Sequence, residues 1–292
     1  MFYGIVAPRL LTLLDVRPMA LTPQQIDQFR QLGYIAPVDV LSTAEAANLA
    51  QQLVVAERDY PEVVNPQKRN NVHACFPFLA NLAKHPRIVD AVRELVGADI
   101  VLSASVLFVK EAHSTAYVSW HQDAQYMGLA PANFVTAWVA LTPSTLATGC
   151  VSVLPGTQHS PGLEHDDTFD DDNILTRGQK VRNVDTSNVV HLELEPGQMS
   201  LHHPWLVHAS QPNSSNERRV GVAYQSYLGA DVHPVRGSHH VMHICGAPVT
   251  ERFTEVMPPT TTCDPQSLAA RDAADAAYAN VLYEGAAQRR RL

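Results

Sequence analysis

The spacing of apolar residues divides the chain into two regimes. Up to about residue 100 they recur every three to four positions, the period of an amphipathic helix. In "LTPQQIDQFRQLGYI" Ile26, Phe29 and Leu32 share one face; Thr22 stands where an N-cap belongs and Pro23 in the first turn. "STAEAANLAQQLVVAERDY" repeats the pattern, with Ser42 or Thr43 as cap and Glu45 in the first turn. "HPRIVDAVRELVG" aligns Ile88, Val92 and Leu95 and stops at Gly97, a C-cap. Beyond residue 100 the period drops to two. "IVLSASVLFVK", "FVTAWVAL", "CVSVLP", "VVHLEL", "MSLHH" and "RVGVAYQSYL" read as strands, punctuated by turn chemistry at Thr148-Gly149, Pro155-Gly156 and Glu195-Pro196-Gly197. Helices followed by short strands predict a mainly β fold, an antiparallel jelly roll or barrel with a helical layer against it. The segment "PQSLAARDAADAAYANVLYEG" returns to helix.

The 292 residues, 46% hydrophobic and 17% charged, leave room for a substantial core. We expect a single domain over residues 21–292, C-terminal helix included, after an extension over residues 1–20. The opening apolar run is short and broken by Pro8, Arg9 and Asp15, unlike a secretory leader. No stretch approaches the ~18 apolar residues that span a bilayer, so no membrane partner is expected. A net charge of −8 argues against a nucleic-acid groove, and Arg289-Arg290-Arg291 reads as a solvated tail. Four scattered cysteines without CxxC spacing fit a reducing cytoplasm and indicate neither a disulfide framework nor a zinc ribbon. "EHDDTFDDDN", residues 164–173, carries six acidic side chains without the spacing of a calcium loop. It reads as a solvated loop first, and as a site lid or cation site second.

Chemistry concentrates in two places. In "SWHQDAQYMG", read as a strand, His121 and Asp123 point to one face. "LHHPWLVHASQPNSSNERRVG" offers His202, His203 and His208, then Arg218 and Arg219. Two imidazoles and a carboxylate on a rigid β scaffold form the facial triad that holds non-haem Fe(II). His121, Asp123 and one histidine of the second cluster would complete it. Taken alone His-x-Asp is a weak signal, because such pairs recur by chance on surfaces.

At "WHQD", "TAW", "GCVSVLPGTQHS", "PGQMSLHHPWLVHAS" and "PNSSNERRVG" the chain resembles the phytanoyl-CoA dioxygenase family of Fe(II)/2-oxoglutarate oxygenases. The likeness is greatest to its bacterial branch of small-molecule hydroxylases and carrier-protein chlorinases, and covers about residues 22–235. The resemblance implies a double-stranded β-helix of cupin-like, jelly-roll type. It implies Fe(II) as cofactor, 2-oxoglutarate and O2 as co-substrates, and His121, Asp123 and His208 as iron ligands. The family's His-x-Ser, followed eleven residues after the histidine by arginine, falls on His208, Ser210 and Arg219. Arg219 would pair with the distal carboxylate of 2-oxoglutarate, a planar recognition suited to guanidinium. Ser210 would donate to the same carboxylate, and Trp138 would line the co-substrate. In halogenating relatives a small residue replaces the carboxylate, so Asp123 points to hydroxylation of an unactivated C–H, or a related desaturation, with release of succinate and CO2.

The other residues divide as follows. His202 and His203 alternate in facing and read as supporting groups; Arg218 should face away from Arg219; Gly149 and Gly156 are turn residues first. His73 lies where relatives present substrate-facing groups. His159, His239 and His240 read as surface residues. A divalent-metal hydrolase would not need Arg219, and a binding module would not need an intact triad. The substrate reads as a small metabolite: an amino acid, an amine, a phosphonate or a secondary-metabolite intermediate. A CoA or carrier-bound acyl group fits less well, since the acidic loop would repel it.

Overall fold

The computed structural model describes residues 20–290, so the expected 1–20 extension lies almost wholly outside the described residues. Four helices, with strand β1 (Tyr34–Asp39) between the first two, precede the main β region: α1 (Pro23–Leu32), α2 (Thr43–Asp59), α3 (Pro77–Ala83) and α4 (Pro86–Val96). The first two start at reciprocal capping boxes, Thr22 with Gln25 and Ser42 with Glu45. Helix α3, two turns long, is too short for its periodicity to announce it.

Seven strands form the larger sheet, in the spatial order β1 (Tyr34–Asp39), β10 (Gln198–His202), β5 (Phe134–Ala140), β12 (Arg219–Leu228), β2 (Ile100–Lys110), β14 (His240–Cys245) and β15 (Thr254–Glu255). The smaller sheet runs β3 (Val118–His121), β11 (His208–Ser210), β6 (Val151–Val153) and β9 (Val190–Leu192). All pairings are antiparallel except β14 with β15. Two short pairs complete the described strands: β4 (Leu129–Ala130) with β13 (His233–Pro234), and β7 (His165–Asp167) with β8 (Gln179–Val181). Helix α5 (Pro265–Leu282) closes the described chain. The two antiparallel sheets make the jelly roll expected.

Each long strand of the larger sheet sorts its residues by parity. Val220, Val222 and Tyr224 of β12 join Leu107 and Val109 of β2 in the main core, packed against the N-terminal helices. Positions between them turn to the space between the sheets: Arg219, Ala223 and Gln225 from β12, Phe108 from β2, Thr136 and Trp138 from β5, His202 from β10. A register shift between Tyr224 and Tyr227 resets the alternation, with Ser226 in the left-handed region at φ 64°. Both tyrosines therefore reach the helical layer, donating to the carbonyls of Leu79 (2.7 Å) and Ala83 (2.8 Å). One face of the sheet is thus structural and the other is free for chemistry.

Candidate metal centre and its two cavities

His121 and His208 are directly opposite each other in the β3–β11 pairing, and both are buried. Asp123 is not on a strand as the sequence suggested. Strand β3 ends at His121, and Asp123 begins a short 3₁₀ turn, Asp123–Tyr126, that swings its carboxylate back towards the two rings. His121 Nε2 lies 3.2 Å and His208 Nε2 3.9 Å from Asp123 Oδ1. The ligand atoms of the three residues all fall within 4.8 Å of one another.

Backbone carbonyls fix which ring nitrogen carries the proton. His121 Nδ1 donates to Ser119 O (2.9 Å) and His208 O (3.1 Å), and His208 Nδ1 to Leu206 O (2.9 Å). Both Nε2 atoms therefore face Asp123 Oδ1, and a cation set among the three would join them. Burial holds the His208 imidazole down to about 3, so the ring is neutral. Burial pushes the Asp123 carboxyl up, but the imidazoles of His208 and His121 outweigh it and keep the group anionic. The neutral His208 nitrogen and the anionic Asp123 oxygen are in the states a divalent metal requires. Asp123 Oδ2 faces Thr136 Oγ1 at 3.4 Å and His202 Nε2 at 3.9 Å. His202, buried and without a hydrogen-bond partner at Nδ1, therefore belongs to the wall of this centre.

Beside the triad a cavity of about 30 Å³ runs between the sheets to Arg219. Arg219 is 1% exposed; its Nη1 donates to the carbonyl of Gly149, and its guanidinium sits 5.2 Å from the Trp138 ring centroid. Gly149 must be glycine: φ is +74° and a Cβ would collide with the Gln211 carbonyl. Gly221 leaves room for the Trp138 ring, which any side chain there would overlap.

Sequence reasoning passed over Lys110. It is fully buried and pairs in register with Arg219 across β2 and β12. Its Nζ donates to Ser210 Oγ (2.7 Å) and to the Gln211 carbonyl. Burial, and then the neighbouring Arg219, push this amine down to about 6. Arg219 itself is lowered by burial to about 10. Among the described residues neither group forms a salt bridge. Two charges of one sign opposite each other on neighbouring strands would be destabilising, so the Lys110 amine takes up its proton most readily when an anion joins the pair.

A second cavity, about 70 Å³, opens on the other side of His121 and Asp123. Its walls include Val106, Phe108, Ile174, Leu175 and Leu282. The acidic stretch 164–173 is not a free loop: much of it builds the β7–β8 hairpin that roofs this cavity. Arg177 Nε binds Asp167 (2.7 Å), Arg182 meets Glu164 (3.0 Å) and Asp166 (2.6 Å), and Arg290 binds Asp171 (2.9 Å). Arg290 is thus tied down rather than solvated. Arg177 also donates to Leu282 O (2.6 Å), holding the hairpin to α5.

Other expectations resolve case by case. Arg218 faces away from Arg219 and binds Glu57 (2.7 Å) and Glu111 (2.9 Å). His73 is buried against Ser105 Oγ (2.6 Å) and lines neither cavity; burial lowers it to about 4. His159 is exposed, but His239 is buried at 4% exposure, its Nε2 within 3.2 Å of Arg236 O, which corrects the surface reading.

A family model described as phytanoyl-CoA dioxygenase (PhyH) matches residues 29–221. The chain belongs to the phytanoyl-CoA dioxygenase family. A probable phytanoyl-CoA dioxygenase of Caenorhabditis elegans is 26% identical over 207 residues, 68% of this chain but only 66% of that protein. An L-proline trans-4-hydroxylase of Streptomyces griseoviridis is 26% identical over 231 residues, 70% of this chain and 86% of that protein. Among solved structures, the non-heme monooxygenase ThoJ in its apo form superposes with a TM-score of 0.79 at 27% identity, over 89% of this chain and 98% of that one. Fe(II) and 2-oxoglutarate are the reactants of this family. The donor set here fits the metal, and the Lys110–Arg219 pair fits a dicarboxylate. No helix among the described residues is long and apolar enough to cross a membrane.

Proposed function

We propose that this chain is an Fe(II)- and 2-oxoglutarate-dependent dioxygenase. It hydroxylates an unactivated C–H bond of a small metabolite and releases succinate and CO2. The observation that carries this reading is one of adjacency. A two-histidine, one-carboxylate cluster lies beside a cavity that reaches the buried Arg219, whose guanidinium has no counter-ion among the described residues. A hydrolase needs the first and has no use for the second.

His121, Asp123 and His208 hold the metal, with backbone carbonyls orienting both rings. Bound there, Fe(II) supplies the redox chemistry that couples oxidative decarboxylation of 2-oxoglutarate to oxidation of the substrate. Arg219 takes the distal carboxylate of the co-substrate, with Lys110 and the hydroxyl of Ser210 beside it. Because Lys110 Nζ donates to Ser210 Oγ, the serine proton is free to be given onward. Trp138 underlies the guanidinium and fixes its plane. The roof of hairpin and α5 excludes water from the bond that reacts. Asp123 fills the position a halide would need, which supports hydroxylation over halogenation.

The relatives named for L-proline, hypophosphite and 1-deoxypentalenic acid support a small free substrate. All four cysteines are free thiols, in keeping with a cytoplasmic enzyme built as one domain over residues 21–292. The test is direct. The purified protein with added Fe(II) should consume O2 and 2-oxoglutarate and form succinate. Failure of the Fe(II)-loaded protein to bind 2-oxoglutarate would remove the proposal.

A further inference from the structure

The cavity beneath the roof differs in kind from the one that reaches Arg219. Apart from the metal ligands His121 and Asp123, no ionisable acid or base of the Asp, Glu, Lys, Arg or His type lines it. Its polar groups are neutral: Asn70, Gln179, Gln225, Thr176 and the phenols of Tyr126 and Tyr278. Charged residues at its edge are already committed. Arg177 is bound by Asp167, and Asp275 faces Arg271 at 3.6 Å while accepting from Asn71 (2.7 Å).

Gln179 is the informative member. It is 5% exposed, and its Oε1 is buried with no hydrogen-bond partner. Its backbone carbonyl takes Ser119 Oγ, but among the described residues its carboxamide bonds to nothing. An amide oxygen left so costs about 1–3 kcal/mol, and natural interiors satisfy such groups. A ligand in the cavity that Gln179 lines would supply the partner. An ionised ligand would lose its hydration in this cavity and meet no charge there beyond the metal centre, a penalty of several kcal/mol. An uncharged one would lose little and satisfy Gln179.

We propose that the substrate enters this cavity uncharged, as an apolar carbon skeleton bearing one neutral hydrogen-bonding group, a carboxamide or its like, that Gln179 reads. This deepens the oxygenase reading and rests on it. Gln225, which borders both cavities, stands where the oxidised end of the skeleton meets the co-substrate. The walls of Val106, Phe108, Ile174, Leu175 and Leu282 take the rest.

The test uses matched compounds that share a skeleton and differ in charge. Cyclohexanecarboxamide, cyclohexanecarboxylate and cyclohexylmethylamine make one set, and the cyclopentane analogues a second. Binding to the anaerobic protein loaded with Fe(II) and 2-oxoglutarate is measured by calorimetry, and stimulated succinate formation in air. The amide should bind at least ten-fold more tightly than either charged analogue in at least one set. Gln179→Glu should reverse the order in favour of the amine by a similar factor. A wild-type preference for acid or amine overturns the proposal, as does the absence of binding by every member of both sets. Calorimetry of 2-oxoglutarate alone into the Fe(II) protein keeps the two readings separate. No binding there sinks the oxygenase reading, whereas normal binding beside a charge-preferring cavity sinks only this one.

Discussion

Two cavities meet at His121 and recognise their occupants by opposite means. The inner one reaches the buried Arg219, whose strand neighbour is Lys110; the outer one presents carboxamides and phenols and, besides the metal ligands, no charge. The inner recognition is electrostatic, set by two residues in register on adjacent strands of a continuous sheet, where position is tightly held. The outer recognition is assembled from a hairpin and a C-terminal helix, elements that can differ without disturbing the barrel. A scaffold so divided keeps one co-substrate and leaves the other partner open to change.

The metal between the cavities gives the largest effects. Asp123→Ala removes the only anionic ligand of the triad, and even loss of groups that merely orient ligands lowers metal affinity about 10- to 100-fold. We expect at least 100-fold weaker Fe(II) binding, read by metal content after dialysis, and loss of most hydroxylation. The vacated position should admit chloride, although chlorination also requires the substrate to be held suitably. The unmodified protein should give only hydroxylated product in chloride buffer by mass spectrometry. Chlorinated product from it would remove Asp123 from the ligand set.

Arg219→Lys tests the inner cavity alone. The charge survives, but the planar, two-point pairing with a carboxylate does not. Loss of such a charge-assisted pair is worth roughly 1.5–3 kcal/mol, about 10- to 150-fold in 2-oxoglutarate affinity. Metal binding should be unchanged. An unaltered affinity for 2-oxoglutarate would break the distinction between the cavities.

Lys110 sharpens the same distinction through pH. In the free protein its amine is held near 6 by burial and by Arg219, so above that pH it is largely neutral. A bound dicarboxylate favours the ammonium form and raises the pKa. Binding above about pH 6 therefore takes up a proton, and affinity falls as pH rises, by up to about ten-fold per unit. Calorimetry at pH 7.5 in buffers of differing ionisation enthalpy should show uptake approaching one proton. Lys110→Met should abolish it. Uptake that persists in the variant would place the proton elsewhere.

What the sequence disclosed follows the same division. His121 with Asp123, and His208 with Ser210 and Arg219, each lie within a short segment whose spacing survives folding, so the triad and the guanidinium were legible. So were the long strands, whose alternation separates a helix-facing core from a site-facing row. Lys110 was not: it reads as the polar end of an apolar strand, and only its register with Arg219 gives it meaning. The turn that swings Asp123 off the strand, and the bulge at Ser226, were hidden because each breaks the alternation that strand reading assumes. The roof was hidden for another reason. The acidic run is solvated as its sequence suggests, but its partners Arg177, Arg182 and Arg290 lie later in the chain and meet it only in the folded state.

That roof offers the smallest and most local test. Arg177 joins hairpin to helix: its Nε binds Asp167, its Nη1 donates to Leu282 O, and its guanidinium lies 5.2 Å from the Tyr126 ring centroid. Its side chain is 13% exposed, so solvent screens these contacts only partly. Arg177→Ala removes them while touching neither the metal ligands nor the inner cavity. We expect a loss of about 1–2 kcal/mol in stability, read as a lower denaturant midpoint. A looser roof should weaken substrate binding by several-fold and let more 2-oxoglutarate be consumed per product formed, because water reaches the site. Affinity for 2-oxoglutarate itself should hold, since Arg219 and Lys110 are anchored in the sheet. If the variant instead weakens 2-oxoglutarate binding as much as Arg219→Lys does, the two cavities are not independent, and charge recognition inside depends on the neutral cover outside.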